Sequence, residues 1–333
     1  MTIKNYLVTG DTGLIGSHVT DELTRRGYFV RGTYFTSAPR HDTMIEHINV
    51  DLRNNNDCIR ACKGIDYVYM CAAVTSGAYD MVHNPLVHVT GNIVMNARML
   101  NAAYQSGVKV FTFISSSSVY PDMETVPCAE YDAWDGIPHD KYWWVAWMKK
   151  IAEILSIGYA TQLDNKMKTC IIRPSNTYGP NDKFDLHRSH FIANKIREMM
   201  LRTDPLVVWG TGEEIRDYIY VKDLARGIVD AGEYTDDHPA VEYTDFNIAS
   251  GKPMKVCDVV NDMLEVVRCY NGTMGYYPEI VYDDTKPTTI PIRILDISRA
   301  RDILGFKADY SIEEGLAETL EWYREHVLNI TNA

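Results

Sequence analysis

The chain has 333 residues, 46% of them hydrophobic, and a formal net charge of -12, which is length and apolar content enough for one large α/β domain with a smaller annex. That negative balance repels nucleic acid and anionic membrane; with no run of about 20 apolar residues and no basic-then-apolar leader, a cytoplasmic protein without a membrane span is expected. The seven scattered cysteines, Cys58, Cys62, Cys71, Cys128, Cys170, Cys257 and Cys269, fit reduced thiols better than a disulfide framework or a zinc site, so no metal is expected.

Apolar runs at residues 3–8 and 29–34 flank a helical segment at 14–26, and strand-like runs recur at 48–50, 67–71 and 108–115. This alternation predicts an α/β fold with a Rossmann-type doubly wound parallel sheet. Between the first strand and the first helix, Val8-Thr9-Gly10-Asp11-Thr12-Gly13-Leu14-Ile15-Gly16 carries glycines at spacing three and three. Without side chains there, the backbone turns tightly, a pyrophosphate approaches the helix N-terminus, and helix packs closely on strand. The acid that would read the ribose 2′-OH of NAD belongs about 20 residues past the last glycine, where Tyr34 stands. Arg31 and Arg40 lie near and suit a 2′-phosphate, so NADP is expected ahead of NAD. The expected coenzyme set here is Gly10, Thr12, Gly13, Leu14, Ile15, Gly16, Tyr34 and Arg40.

Further helices are expected over 85–105, 142–160, 190–201, 255–267 and 312–328 from apolar spacing and flanking breakers. From Arg173 onward the strict alternation decays, and Pro174, Gly179, Pro180, Gly210 and Gly212 punctuate shorter elements. The expected organisation is a dinucleotide-binding domain over 1–173, completed by segments near 215–250, and a smaller, interwoven substrate lobe over 174–333.

Several motifs recur together: the glycine loop, Asp51-Leu52, Ala72-Ala73, Asn92, SSSSVYP at 115–121, RPSNTYGP at 173–180, Ser189-His190, and VVWGTGEEIRDYIYVKD at 207–223. On these the chain resembles the extended short-chain dehydrogenase/reductase family, and within it the GDP-L-fucose synthase branch, over almost its whole length. The resemblance implies a nucleotide-sugar substrate, GDP-linked by preference, and a homodimer paired through helices 85–105 and 142–160. It implies that Asp51 and Leu52 meet the adenine, that Ala72, Ala73 and Pro174 line the coenzyme, and that Asn92 supports the proton-relay helix. Ser116 and Ser117 would contact the sugar, and Asn176, Arg216 and Arg293 would bind the substrate diphosphate or its neighbourhood, where a planar guanidinium grips phosphate bidentately.

In that family a Tyr four residues before a Lys on one helix exchanges a proton with the sugar oxygen, and the Lys holds the nicotinamide ribose. Lys149 takes the lysine position, and Val145 stands four residues earlier; in the alternative register Lys150 follows Ala146. Neither register supplies a phenol, and Tyr142 lies about two turns upstream, roughly 10 Å along the axis. Three explanations stay open: a substitution made to trap a complex, a natural site with another proton donor, or a retired enzyme that still binds both ligands. Relatives that epimerise at C3 and C5 pair a Cys two residues before the Tyr of the YP turn with a His after YGP; Ser118 and His190 hold those places, and serine is a far weaker base than a thiolate. The expected activity is NAD(P)-dependent oxidation, reduction or epimerisation of a nucleotide sugar, at C4 of a GDP-linked 4-keto hexose. Ser116, Ser118, Lys149 and His190 are the catalytic candidates, and a coenzyme- and sugar-nucleotide-binding protein without turnover is the alternative.

Overall fold

The computed structural model describes residues 4–37, 39, 45–75, 84, 86–123, 127–185, 189–269, 274–286, 288 and 290–328. Its centre is a seven-stranded parallel sheet of β1 (Tyr6–Thr9), β2 (Val30–Tyr34), β3 (Ile45–Asn49), β4 (Tyr67–Met70), β5 (Val110–Ile114), β6 (Lys168–Pro174) and β10 (Tyr243–Ile248). The strand order is β10-β6-β5-β4-β1-β2-β3. Both faces are covered, so the central strands β1, β4 and β5 are apolar almost throughout: along β1, Tyr6 and Val8 enter one core cluster and Leu7 the other.

Helices α1 (Leu14–Arg25) and α6 (Val221–Asp237) pack together on one face, and α2 (Asn55–Cys62), α3 (Val89–Gln105) and α4 (Trp143–Thr161) stack on the other. The order of strands reverses between β1 and β4. In such a sheet the ligand crevice opens at the carboxyl ends of those two strands.

Helix α8 (Ser298–Leu304) packs on β10 and α6 of the main sheet, and a second lobe is built from β7 (Asn176–Tyr178), α5 (Phe191–Met200), β8 (Leu206–Trp209), β9 (Ile215–Tyr220), β11 (Pro253–Lys255), α7 (Val256–Arg268), β12 (Ile280–Asp283), β13 (Ile292–Arg293) and α9 (Ile312–Tyr323). It has its own apolar cluster around Met199, Leu206, Val260 and Leu320. Strands β7, β11 and β13 all pair with β9, and Arg293 lies in register with Arg216. The chain passes from β9 straight into α6, then returns to the main sheet through β10, so the two lobes are interwoven.

Helix α6 is absent from the sequence-based expectation. It begins without a capping side chain and directly after a strand, so no flanking breaker marks its start. Its apolar face of Leu224, Ile228 and Val229 is nonetheless fully buried against the sheet. Cys58, Cys62 and Cys170 are buried free thiols, and burial pushes them up to about 11, about 12 and about 12. Among the described residues no helix is long and apolar enough to cross a membrane.

Candidate active site

The glycine loop is shaped by contacts that leave no room for side chains. Gly10 adopts φ +66°, and a Cβ there would lie 2.9 Å from the Ala72 Cα. A Cβ on Gly16 would lie 2.2 Å from the Gly10 carbonyl oxygen, so helix and loop can approach only as glycines. Gly13 is exposed, and a Cβ there would meet only the Gly10 oxygen at 3.4 Å. Gly13 also begins α1 with no side-chain cap and no acid in the first turn. The helix thus starts at an exposed residue flanked by half-buried Thr12, Leu14 and Ile15, an arrangement suited to a phosphate.

The residues expected around the adenosine are arranged differently from one another. Tyr34 ends β2 half-buried. Arg31 turns away to Glu46 at 2.8 Å and to the carbonyls of Ala61 and Lys63 at 3.1 and 2.8 Å, so it is not available to a 2′-phosphate; Arg40 lies outside the described residues. Asp51 is gripped by Arg53 through two bonds of 2.9 Å, and that guanidinium lies 5.4 Å from the exposed Phe35 ring. Leu52 is buried in the core. Beneath the loop, the buried Asp11 carboxylate sits 2.7 Å from His47 and occupies the space that a side chain on Gly32 would need.

The wall after β4 is held in place by two polar anchors. Thr9 Oγ1 accepts the Ala72 N–H at 3.0 Å. Asn92, buried in α3, accepts the Val74 N–H at 2.8 Å and donates to the Val74 and His88 carbonyls at 2.9 and 2.7 Å. These bonds fix Ala72, Ala73 and Val74 along the crevice. Asn92 thus acts on the loop after β4; its bonds are not to the α4 helix.

Helix α4 presents its two lysines to different places. Lys149 Nζ donates to the Ile114 carbonyl at the end of β5 at 2.7 Å and lies 5.0 Å from the Phe113 ring. The side chain is half-buried, but its ammonium is enclosed by protein, which pulls it down to about 8 against the opposing pull of Glu153. Lys150 Nζ instead donates to the Ala133 carbonyl at 2.5 Å and lies 5.5 Å from the rings of Trp134 and Trp147. Val145, four residues before Lys149, shares its face and is half-buried, whereas Ala146 is fully buried.

The serine run is divided between structure and crevice. Ser115 Oγ donates to Glu153, which also receives the fully buried Arg173 through bonds of 3.0 and 2.8 Å. Ser116 Oγ caps the short turn Ser117–Val119 by accepting the Ser118 N–H at 3.1 Å. Ser116 and Ser117 stay partly exposed, while the Ser118 hydroxyl is buried with no hydrogen-bond partner among the described residues. Tyr120 is fully buried and donates to Asn247 at 2.5 Å.

On the second lobe, Pro174 closes β6 in the core and Asn176 opens β7 exposed, within reach of the Tyr218 hydroxyl. Arg216 is buried and donates to the carbonyls of Ile215 and Pro291 at 2.7 and 2.9 Å, and to Ile290. Arg293 is buried beside it in register and donates to the Pro121 and Tyr120 carbonyls at 3.2 and 3.3 Å, while its Nε has no hydrogen-bond partner among the described residues. His190 Nδ1 lies 3.0 Å from Asp182, whose carboxylate is 3% exposed against 46% for the imidazole. That carboxylate raises the His190 pKa.

Asp182, Lys183 and Asn181 are absent from the sequence-based site. Asn181 donates to Ser17 of α1 at 3.1 Å, and Lys183 donates to the Thr75 carbonyl and hydroxyl at 2.7 and 2.9 Å. No periodicity flags such residues, because they act through a loop; only their position directly after YGP hinted at them.

A sequence model described as the NAD dependent epimerase/dehydratase family matches residues 6–249. The GDP-L-fucose synthase of Escherichia coli (strain K12) is 27% identical, with 98% of each chain covered. The putative GDP-L-fucose synthase 2 of Arabidopsis thaliana is 28% identical over 96% of this chain and 92% of that protein. Among solved structures, MoeE5 in complex with UDP-glucose and NAD is similar at 27% identity with a TM-score of 0.80, covering 96% of this chain and 99% of that one.

Proposed function

The chain belongs to the NAD dependent epimerase/dehydratase family, and from that footing we propose that it is a nucleotide-sugar oxidoreductase or epimerase working at C4 of a GDP-linked 4-keto hexose. The observation that carries the reading is the convergence, at the carboxyl ends of β1, β4 and β5, of an open glycine-loop helix terminus and the enclosed Lys149 ammonium. A nicotinamide dinucleotide bound there would supply or accept a hydride at the sugar carbon. The Gly13 amide is spent on the Gly10 carbonyl at 3.0 Å, so the amides of Leu14 and Ile15 would hold its pyrophosphate, Asp51 and Leu52 would border the adenine, and Ala72, Ala73 and Pro174 would line its path. Lys149 would bind the nicotinamide ribose. NADP is proposed ahead of NAD because Tyr34, not an acid, ends β2; the likeness to a NAD complex keeps NAD as the alternative.

Arg293 and Arg216, adjacent in register, would meet the substrate diphosphate from the second lobe, with Asn176, Ser116 and Ser117 toward the sugar. The GDP preference rests on likeness to two GDP-L-fucose synthases. The proposed homodimer is supported by the outer face of α4, where Trp144, Ile151 and Ile154 are 48%, 39% and 53% exposed, a stripe of large apolar side chains that a second copy would cover. Ile154→Asp is expected to yield monomer in sedimentation; an unchanged dimer places the interface elsewhere.

The vacant tyrosine position favours a second reading, a protein that binds both ligands without turnover. Coenzyme-dependent reduction of a GDP-linked 4-keto hexose separates the two. Turnover by the natural chain supports the enzyme. Turnover only by Val145→Tyr or Ala146→Tyr marks a disabled enzyme, and turnover by none of them while both ligands bind supports the binding protein. A positioned acid is worth about 10² to 10⁴ in rate, so the difference is large.

A further inference from the structure

Three loops meet over the strand-order reversal, and their side chains tie a histidine and a carboxylate to the crevice. Asn181 fastens one end of the 181–183 segment to Ser17, the residue after Gly16 in α1. Lys183 fastens the other end to Thr75, three residues after the Ala72 that packs on Gly10. The segment therefore bridges the carboxyl ends of β1 and β4, and Asp182 sits between the two anchors. Asp182 is buried, takes the Lys183 N–H at 2.7 Å, and faces His190 Nδ1 with both oxygens, at 3.0 and 3.1 Å. This arrangement leaves Nε2 as the ring nitrogen not turned to Asp182, on a side chain that is half-exposed. No phenol stands at 145 or 146, and Tyr120, the phenol of the SSSSVYP run, is spent on Asn247 in the core.

Resting on the proposed function, we infer that His190 donates the proton to the sugar C4 oxygen in place of the absent tyrosine, with Asp182 as its positioning residue. As C4 gains a hydride from the reduced nicotinamide coenzyme, the carbonyl electron pair moves onto oxygen, the Nε2–H bond breaks, and an O–H bond forms. The ring is left neutral and reloads a proton from solvent through its exposed side. Asp182 holds Nδ1 protonated, so Nε2 is the position that cycles. Among the described residues the charged groups acting on His190 are Asp182, which favours the imidazolium, and Lys183, which opposes it. The carboxylate prevails, so the acid form persists to higher pH than in an isolated histidine.

The test combines NMR titration of the His190 imidazole, assigned by its loss in His190→Gln, with steady-state kinetics using NADPH and a GDP-linked 4-keto hexose. Asp182→Asn is expected to lower the imidazole pKa by about one unit or more and to move the alkaline limb of kcat downward with it. Addition of the sugar nucleotide to the coenzyme complex is expected to shift the His190 resonances. His190→Gln is expected to lower kcat by about 10² to 10⁴ with KM changed only a few-fold, and Val145→Tyr in that background to restore at least about tenfold. The inference is overturned if His190→Gln keeps its kcat, if Val145→Tyr does not rescue it, or if the imidazole ignores a sugar nucleotide that calorimetry shows to be bound. A natural chain that binds both ligands and never turns over also overturns it. Failure of either ligand to bind instead removes the proposed function itself.

Discussion

Lys149 is a charge held where charge is costly, because burial outweighs the pull of Glu153 and brings the ammonium down to about 8. The unfolded chain keeps that proton to about 10.4. Between those values the unfolded state binds more protons than the folded one, so this residue makes stability rise with pH across the window. Thermal melts at pH values on either side of it are expected to show a smaller alkaline gain for Lys149→Met than for the natural chain; equal gains would mean that the ammonium is solvated. The same enclosure keeps a partly neutral amine beside the crevice near neutral pH, a state that a surface lysine does not reach.

At the scale of elements, α4 and β6 are joined by one buried ion pair. Arg173 and Glu153 have no exposed side-chain surface and meet at 2.8 Å, with Asp245 on the second arm of the guanidinium at 3.0 Å. Removing one partner strands a buried charge, so Glu153→Ala is expected to cost about 3–5 kcal/mol in chemical denaturation; a loss under about 1 kcal/mol would mean that the pair is hydrated. Because Lys149 sits one turn before Glu153, that loss should also loosen the crevice. The local elements most legible in the sequence were those with strong periodicity: α4 runs Trp143–Thr161 against an expected 142–160, and α7 runs Val256–Arg268 against 255–267. The glycine loop was legible because its steric requirement leaves few alternatives at Gly10 and Gly16. Helix α6 was not, since it lacks a cap and emerges from a strand. Nor were Asp182 and Lys183, whose partners lie in other loops and follow no period. Arg31 was close to the expected site in sequence, but strand alternation points it to Glu46.

For the molecule as a whole, interweaving matters more than the boundary between lobes. The main sheet takes its last strand, β10, only after the chain has built β7 through β9 of the second lobe. Asp217, on β9, accepts from Ser175 Oγ at 3.0 Å and from the Ser250 and Gly251 amides at 2.8 Å each, so the connections after β6 and after β10 are both tied at one buried carboxylate. The proposed function asks these joined lobes to hold two ligands end to end. The whole account rests on that double occupancy. The most direct measurement is isothermal titration calorimetry with NADPH or NADH, followed by a GDP-linked hexose in the coenzyme-saturated protein, on the natural chain and on Gly16→Val. The account predicts one coenzyme per natural chain, a sugar nucleotide bound in addition, and loss of coenzyme binding in Gly16→Val, whose side chain would occupy the space of the Gly10 carbonyl. Absence of heat from both coenzymes and from the sugar nucleotide with the natural, folded chain would contradict it.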